Sequence, residues 1–462
     1  MTALAGQSAW SAARTPTLAQ EAMLAGLAVL VVHAVASIWV APGAYQDDAI
    51  YLALGKALAS GRGWHSVYAI GSPVHLKYPP ALPGIYALLW MAGGSIERTL
   101  GFVHAFHILV SGACGALAWW IVRARLGGSA AAAMTALVPF GLVSVVDHWQ
   151  LSITEGPYVA TWLGILVLAL APLTRRRALG LGLLLAVATL LRAQGWALIG
   201  GVVIALCLTT EGRRHVLITG GAAIAPVLAW SAMVALLARH GAVSTQPDEA
   251  GYLAPLIRMP FVTAAHTLAS SVSLNIAEYW RIIPRELGPA GPGHLLAVVC
   301  FMLGLVGASR DARRIAPLSL TLAMSLVMLL VLPYNQERYV LGVAPVCALL
   351  VVHGWAVIAS RFNARTGMAL ATGSVAMVLF HQRAIRRAAT SPDPIAEVGF
   401  EPVGHVLTRN TAWLETVVPW VMTHTPANAR VFTEGAAGLW LATGRTGVAA
   451  LPAAPTFIVR PP

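Results

Sequence analysis

The sequence predicts an all-α membrane protein that crosses the bilayer many times. Hydrophobic residues make up 58% of the 462 residues, charged residues only 10%, and the mean hydropathy is +0.73. An ordinary soluble domain carries about 25% charged residues. Apolar runs of about 18 or more residues recur along the chain, and each could cross the hydrocarbon core. This pattern excludes a soluble globular protein and favours one membrane domain.

About eleven runs are candidate transmembrane helices, and the first is expected to stay uncleaved because it is longer than a typical signal sequence. The runs lie near residues 22–40, 100–122, 128–146, 156–172, 178–191, 195–209, 216–238, 293–308, 315–333, 339–358 and 366–380. A shorter apolar stretch at 81–92 is expected to lie along the membrane surface. Counting it as a crossing would move the later basic loops outside.

The net charge of +12 is carried by basic residues in short loops. With eleven spans, clusters such as Arg123 with Arg125 and 175–177 fall on the cytoplasmic side, as the positive-inside rule requires. Anionic lipid headgroups are the natural partners of such loops, and nucleic acid is not expected. The active face would then be periplasmic or exterior, on a bacterial inner membrane.

This topology divides the chain into two parts. Residues 1–381 form the predicted transmembrane domain, with a first outer loop at 41–99 and a long outer loop at 239–293. Within the first outer loop, residues 47–60 predict an amphipathic helix at the membrane surface. The less apolar tail, 382–462, predicts a small extracytoplasmic module.

Two adjacent carboxylates, Asp47 and Asp48, follow the first span at the outer face. They lie where a general base would be useful to a membrane-boundary enzyme. The alternative is structural: Asp47 would cap the surface helix, and Asp48 would complement its dipole. Spacing alone leaves both interpretations open.

Other polar residues stand at predicted membrane boundaries on the same face. Lys77 beside Tyr78 could meet a phosphate or merely anchor the interface. Glu155, three residues after Ser152, also fits a capping box. The remaining candidates could bind a ligand or serve as interfacial anchors, and they are Arg192, Glu337, Arg338 and Tyr339.

Together these segments resemble the GT-C glycosyltransferases that use polyprenyl-phosphate sugars, such as protein O-mannosyltransferases and lipid A aminoarabinose transferases. The first outer loop carries the most specific part of the resemblance. The matching segments are Asp47-Asp48, Gly61-Arg62-Gly63-Trp64, Lys77-Tyr78-Pro79-Pro80, Thr154-Glu155, Arg338-Tyr339 with Pro345, and Leu441-Ala442-Thr443-Gly444-Arg445.

The resemblance implies inverting transfer of a sugar from a polyprenyl-phosphate carrier to a glycan, lipid or protein acceptor on the outer face. It assigns the catalytic acid pair to Asp47 and Asp48 and a phosphate contact to Lys77. A secondary transporter and a non-catalytic polyprenyl-lipid binder are the alternatives. The four cysteines lie in apolar runs without metal-ligand spacing, so no disulfide and no cysteine-bound metal are expected, and no metal-ligand residues are assigned. Whether a divalent metal assists as a cofactor is left open.

Overall fold

The computed structural model describes residues 16–36, 40–45, 47–240, 260–331, 337–359, 364–398, 400–433, 436–448 and 457–458. Helices form most of this part of the chain. In the first half they are α1 Leu18–Ala36, α2 Asp47–Ala59, α3 Ala81–Gly93, α4 Ile96–Trp120 with a π-helical extension Ile121–Arg125, α5 Ala130–Ala136, a 3₁₀ turn Val138–Gly141, α6 Val143–Trp149, α7 Glu155–Ala169, α8 Arg175–Leu191, α9 Gly195–Cys207, α10 Thr210–Arg213 and α11 Val216–His240.

The second half adds longer helices and a small sheet. These elements are α12 Phe261–Leu287, α13 Pro292–Ser309, α14 Ala316–Val331, α15 Glu337–Ala359, α16 Ala364–Ala388, α17 Pro394–Val398, α18 Val403–His424, β1 Arg430–Phe432, α19 Ala436–Thr443, β2 Thr446–Val448 and β3 Phe457–Ile458. The strands pair in parallel in the order β2-β1-β3. The all-α prediction is confirmed for the membrane part, and the tail adds this short sheet.

Five of the described helices are long and apolar enough to cross a membrane. They are Leu18–Ala36, Ile96–Arg125, Val216–His240, Pro292–Ser309 and Gly342–Ala359. Four shorter apolar helices accompany them: Ala81–Gly93, Glu155–Ala169, Gly195–Cys207 and Ala316–Val331. The chain is therefore a multi-pass membrane protein, and the number of crossings stays a prediction.

Small residues let neighbouring helices of the bundle approach closely. Where α1 crosses α4, a Cβ added to Gly26 would lie 2.8 Å from the carbonyl oxygen of Gly112. Where α13 crosses α15, a Cβ on Gly354 would overlap the Leu303 carbonyl. Membrane helices associate through such close backbone packing because lipid supplies no hydrophobic drive between them.

Two predicted segments differ from the structure. The run at 128–146 was expected to be one span but is divided into α5, the 3₁₀ turn and α6. Pro139 lies in the first turn of the 3₁₀ segment, where it has no backbone N–H to continue an α-helix. The predicted loop at 239–293 contains the 27-residue helix α12. This helix is amphipathic, so its polar residues lowered the local hydropathy although the segment is helical.

The tail is continuous with the bundle. Residue 382, the predicted domain boundary, falls inside α16. Tail helix α18 contacts α6, and α19 contacts α2, whose first residue is Asp47. The predicted surface helix at 47–60 is observed as α2, and it is covered by protein on most sides, with eight of its thirteen residues buried.

Candidate active site

The termini of four helices lie at the same end of the helix bundle, and they bring polar residues together. Helix α2 begins with Asp47, α7 begins with Glu155, and Arg192 follows the last residue of α8. Arg338 lies in the first turn of α15. Because these are helix ends, long polar side chains can converge there without interrupting a helix.

Asp47 accepts hydrogen bonds from the Tyr78 hydroxyl and from Arg338 Nη2. Its side chain is only 15% exposed. Burial by itself raises the pKa of the Asp47 carboxyl. The charges of Arg338 and Lys77 and the Tyr78 hydroxyl outweigh burial, so this pKa lies below its ordinary value. Asp47 is therefore an ionised carboxylate at neutral pH.

Arg338 joins two carboxylates that are far apart in sequence. Besides Asp47, its Nε lies 3.5 Å from Glu155 Oε1. Glu155 also pairs with Arg192 at 2.6 Å, and Arg192 Nη1 donates to Thr154 Oγ1 at 3.3 Å. Two guanidinium groups and two carboxylates thus neutralise one another in a buried network, which lowers the cost of removing each charge from water.

Aromatic rings cover both guanidinium groups. The guanidinium carbon of Arg338 lies 4.8 Å from the Tyr45 ring centre and 5.1 Å from that of Tyr339. The guanidinium carbon of Arg192 lies 4.8 Å from the Tyr339 ring centre. These cation–π contacts fix the planes of the guanidinium groups and leave their edges for the carboxylates.

Asp48 points away from this network. Its carboxylate accepts from Gly43 N at 2.8 Å and from Tyr45 N at 3.3 Å, and the residue is 2% exposed. Burial raises the pKa of Asp48 to about 6, although the bond from Gly43 opposes this. Asp48 therefore holds the turn that presents Tyr45 to Arg338.

The loop carrying Lys77 and Tyr78 is fastened by His75. The backbone N–H of Tyr78 donates to His75 Nε2 at 3.1 Å, so the neutral ring carries its proton on Nδ1, 3.0 Å from the Ser66 hydroxyl. Burial lowers the pKa of His75 to about 3 and keeps it neutral. Lys77 Nζ lies 5.0 Å from the Tyr78 ring centre. The loop thus directs one hydroxyl and one ammonium group toward Asp47.

The structure brings together most of the candidates from sequence, namely Asp47, Lys77, Tyr78, Glu155, Arg192, Arg338 and Tyr339. The side chain of Glu337 lies outside the described part of the chain. The capping-box interpretation of Glu155 is wrong: residue 154 precedes α7 without a side-chain cap, and the Glu155 carboxylate pairs with arginines.

Tyr45 and His148 were not recognised from sequence. The His148 ring lies 5.9 Å from Tyr45 in an edge-on arrangement, and its Nδ1 lies 2.7 Å from the Ser144 carbonyl. Tyr45 stands two residues before the Asp47-Asp48 pair, which was the only available signal. His148 lies in the last turn of α6, between the predicted spans at 128–146 and 156–172.

No group of three or more His, Cys, Asp or Glu side chains that could hold a metal ion occurs among the described residues. The two carboxylates of the network face guanidinium groups at ion-pair distance. In this arrangement the carboxylates serve as counter-charges to Arg192 and Arg338.

Solved structures share this architecture, although no family model and no curated protein matches the sequence. ArnT from Cupriavidus metallidurans in the apo state is 13% identical, with a TM-score of 0.54 over 96% of this chain and 87% of that one. The same protein bound to undecaprenyl phosphate is 14% identical, with a TM-score of 0.52 over 92% and 84%.

The Archaeoglobus fulgidus oligosaccharyltransferase in complex with Zn and sulfate is 10% identical, with a TM-score of 0.50. The alignment covers 92% of this chain but only 62% of the oligosaccharyltransferase. Identities this low are informative about the fold alone. The chain therefore has the GT-C fold, which ArnT and the oligosaccharyltransferase share.

Proposed function

We propose that the protein is an inverting glycosyltransferase that moves a sugar from a polyprenyl-phosphate carrier to an acceptor on the outer face of the cytoplasmic membrane. The observation that carries the proposal is the ion pair between Asp47 and Arg338. It joins a carboxylate that can accept a proton to a guanidinium that can bind a phosphate. ArnT with bound undecaprenyl phosphate has the same fold, which adds support.

In the proposed reaction an acceptor hydroxyl attacks C1 of the sugar from the side opposite the phosphate. A bond forms between the acceptor oxygen and C1, and the bond between C1 and the phosphate oxygen breaks. The electron pair leaves with the polyprenyl phosphate, and the acceptor proton passes to Asp47. A single displacement of this kind inverts the anomeric centre.

The pKa of Asp47 is lowered by the cations beside it, so Asp47 can act as the base only if donor binding changes the surroundings of its carboxylate. A carrier phosphate that binds Arg338 and Lys77 would draw these cations away from the Asp47 carboxylate. Losing opposite charges raises the pKa of a buried carboxylate. Donor binding would thus make Asp47 a stronger base at the moment when the acceptor proton must be removed.

The other residues have positioning roles in this proposal. Glu155 holds Arg338 through its Nε, and Arg192 in turn pairs with Glu155. Tyr78 orients the Asp47 carboxylate through its hydroxyl. Asp48, which faces the backbone of residues 43 and 45, positions the turn and not the sugar. Of the two acids that the family resemblance assigns to catalysis, only Asp47 is proposed as the base.

A non-catalytic polyprenyl-lipid binder is the second candidate, because Asp47 is already paired with Arg338 and Tyr78. A lipid binder needs the cations but not the base. The deciding experiment incubates purified protein with a radiolabelled polyprenyl-phosphate sugar and an extract of envelope acceptors. Transfer of label, or release of free polyprenyl phosphate, supports the enzyme. Saturable donor binding with neither product assigns the protein to the binder.

A secondary transporter is less well supported, because the charged network lies at helix ends. Charged groups lining a path through the middle of the bundle would favour transport. Transport of radiolabelled lipid across proteoliposomes without any bond cleavage would contradict the glycosyltransferase proposal.

A further inference from the structure

A polar cavity lies at the end of the helix bundle opposite the candidate active site. Its volume is about 460 Å³. The charged residues that line it are Arg125, Arg313, Arg314 and Glu211. Three positive charges against one negative charge leave the lining with a formal charge of +2. This excess makes the cavity suited to an anion.

The helices themselves establish that the two sites are far apart. Helix α7 begins at Glu155, in the candidate active site, and ends at Ala169, which lines the cavity. Its 15 residues span about 22 Å at 1.5 Å per residue. Helix α9 runs in the same sense, from Gly195 near Arg192 to its last turn at the cavity wall.

The arginines retain donors for a ligand. Arg314 Nη2 donates to the backbone oxygen of Arg125 at 2.8 Å, which fixes one edge of its guanidinium group. Arg125 Nε is buried, and no acceptor for it occurs among the described residues. A buried N–H without an acceptor is costly, so a ligand oxygen in the cavity would relieve this cost.

We infer that this cavity binds a phosphate group through Arg125, Arg313 and Arg314. Guanidinium groups bind phosphate oxygens through paired, charge-assisted hydrogen bonds. The cavity is larger than a single phosphate requires, so it also has room for a substituent on that phosphate. The source would be a phospholipid headgroup in the adjoining leaflet or a soluble phosphate compound.

The location supports this chemistry independently of the proposed transfer reaction. The same end of the bundle carries the basic loops 175–177, 213–214 and 310–314, which the positive-inside rule assigns to the cytoplasm. Anionic lipids of that leaflet concentrate beside such loops. The inference concerns a binding site only, and it does not depend on whether the protein is a glycosyltransferase.

The test uses the full-length protein in neutral detergent, with phosphatidylglycerol as the probe and phosphatidylcholine as the zwitterionic reference. Binding is followed by native mass spectrometry and by the rise of the unfolding temperature with ligand concentration. The test variant is Arg125→Gln/Arg313→Gln. The matched control is Arg175→Gln/Arg176→Gln, which removes two arginines from the same end but outside the cavity lining.

We expect the wild type and the control to bind phosphatidylglycerol similarly and the test variant to bind at least about tenfold more weakly. Competition by millimolar inorganic phosphate would assign the site to soluble phosphates, and lack of competition would assign it to headgroups. Equal binding by the test variant and wild type, or an equal loss in the control, would overturn the inference.

If the double variant does not fold, Arg313→Gln alone provides the test. Arg313 is exposed in the turn before α14, so its substitution should preserve the fold. We expect several-fold weaker binding and fewer co-purified anionic lipids per protein molecule. Wild-type values for both measurements would reject the site.

Discussion

Arginines occur in two different environments at the two ends of the helix bundle. At the candidate active site, Arg192 and Arg338 are largely buried and pair with Asp47 and Glu155, so the four charges cancel. At the opposite end, the arginines of the cavity face one glutamate. A buried guanidinium needs carboxylate partners because desolvation is costly, whereas the exposed side chains of Arg313 and Arg314 remain solvated by water.

Because of this difference, the two ends would bind an anion in different ways. The network at the candidate active site is already neutral, so a phosphate must replace a carboxylate as the partner of Arg338. The cavity at the opposite end carries an excess of positive charge, so a phosphate can enter without exchange. Substitutions at the candidate active site should therefore affect both stability and turnover, whereas those at the opposite end should have small effects on both.

The largest effect is expected for Asp47→Asn. The substitution preserves the shape of the side chain but removes its basicity, and general-base catalysis contributes roughly 10²–10⁴ in rate. Sugar transfer by the purified variant should fall by two or more decades. Arg338 still has Glu155 within reach, so the variant should fold, and its unfolding temperature verifies this.

Glu401→Gln is the matched control for this loss. Glu401 pairs with Arg409 and His405 in the tail, outside the network. Its turnover should equal that of the wild type. Near-normal transfer by Asp47→Asn would return Asp47 to a structural role.

Arg338→Gln should produce the largest loss of stability. Removing its charge leaves Asp47 without its guanidinium partner and Glu155 with Arg192 alone. Breaking a buried ion pair in this way typically costs about 3–5 kcal/mol. The free energy of unfolding can be followed in mixed micelles, with Arg409→Gln, a 59% exposed arginine, as the control. Equal losses in both variants would show that burial does not distinguish the pairs.

Lys77→Ala should mainly affect donor binding. If Lys77 meets the carrier phosphate, its removal should raise the apparent KM for donor by a factor equivalent to ~1.5–3 kcal/mol. The exposed Arg62, which like Lys77 lies between α2 and α3, provides the control, Arg62→Ala, which should leave KM unchanged. Identical donor dependence in wild type and Lys77→Ala would assign Lys77 to interfacial anchoring.

Asp48 should make stability depend on pH in a defined window. Its pKa is about 6 in the fold and 3.8 in the unfolded chain, so between these values only the folded state holds the proton. The free energy of unfolding contributed by Asp48 should therefore fall as pH rises from about 4 to about 6, by about 1.4 kcal/mol per pH unit, and then stay constant. Asp48→Asn should lack this dependence. Parallel stability profiles for wild type and variant would contradict the assignment.

The smallest effect is expected for Glu21→Gln at the opposite end. Glu21 lies 3.0 Å from Arg123 Nε, but both side chains are partly exposed. Such pairs contribute little to stability because water solvates the separated charges nearly as well. The unfolding temperature should match that of the wild type. A loss comparable to that of Arg338→Gln would remove the proposed difference between the two ends.

Hydropathy alone was enough to determine the class of protein and much of the helical content. The length of an apolar run and its lack of charge determine the free energy of placing that run in hydrocarbon. This free energy is a sum over single residues, so it can be read from the local sequence. The same local signal misassigned 128–146, where Pro139 interrupts the helix, and 239–293, where α12 is amphipathic. Hydropathy cannot report a break within an apolar run or a helix with one polar side.

Which polar residues contact one another depends on how the helices pack in three dimensions. Asp47 and Arg338 are 291 residues apart, and nothing in either local sequence specifies their ion pair. Asp47 and Asp48 are neighbours of identical type, yet one faces Arg338 and the other faces the backbone of residues 43 and 45. The sequence therefore identifies both residues as carboxylates at the predicted membrane boundary, but it does not distinguish their roles. Those roles depend on long-range contacts, namely the packing of α2 against α3 and α19 and the ion pair between Asp47 of α2 and Arg338 of α15.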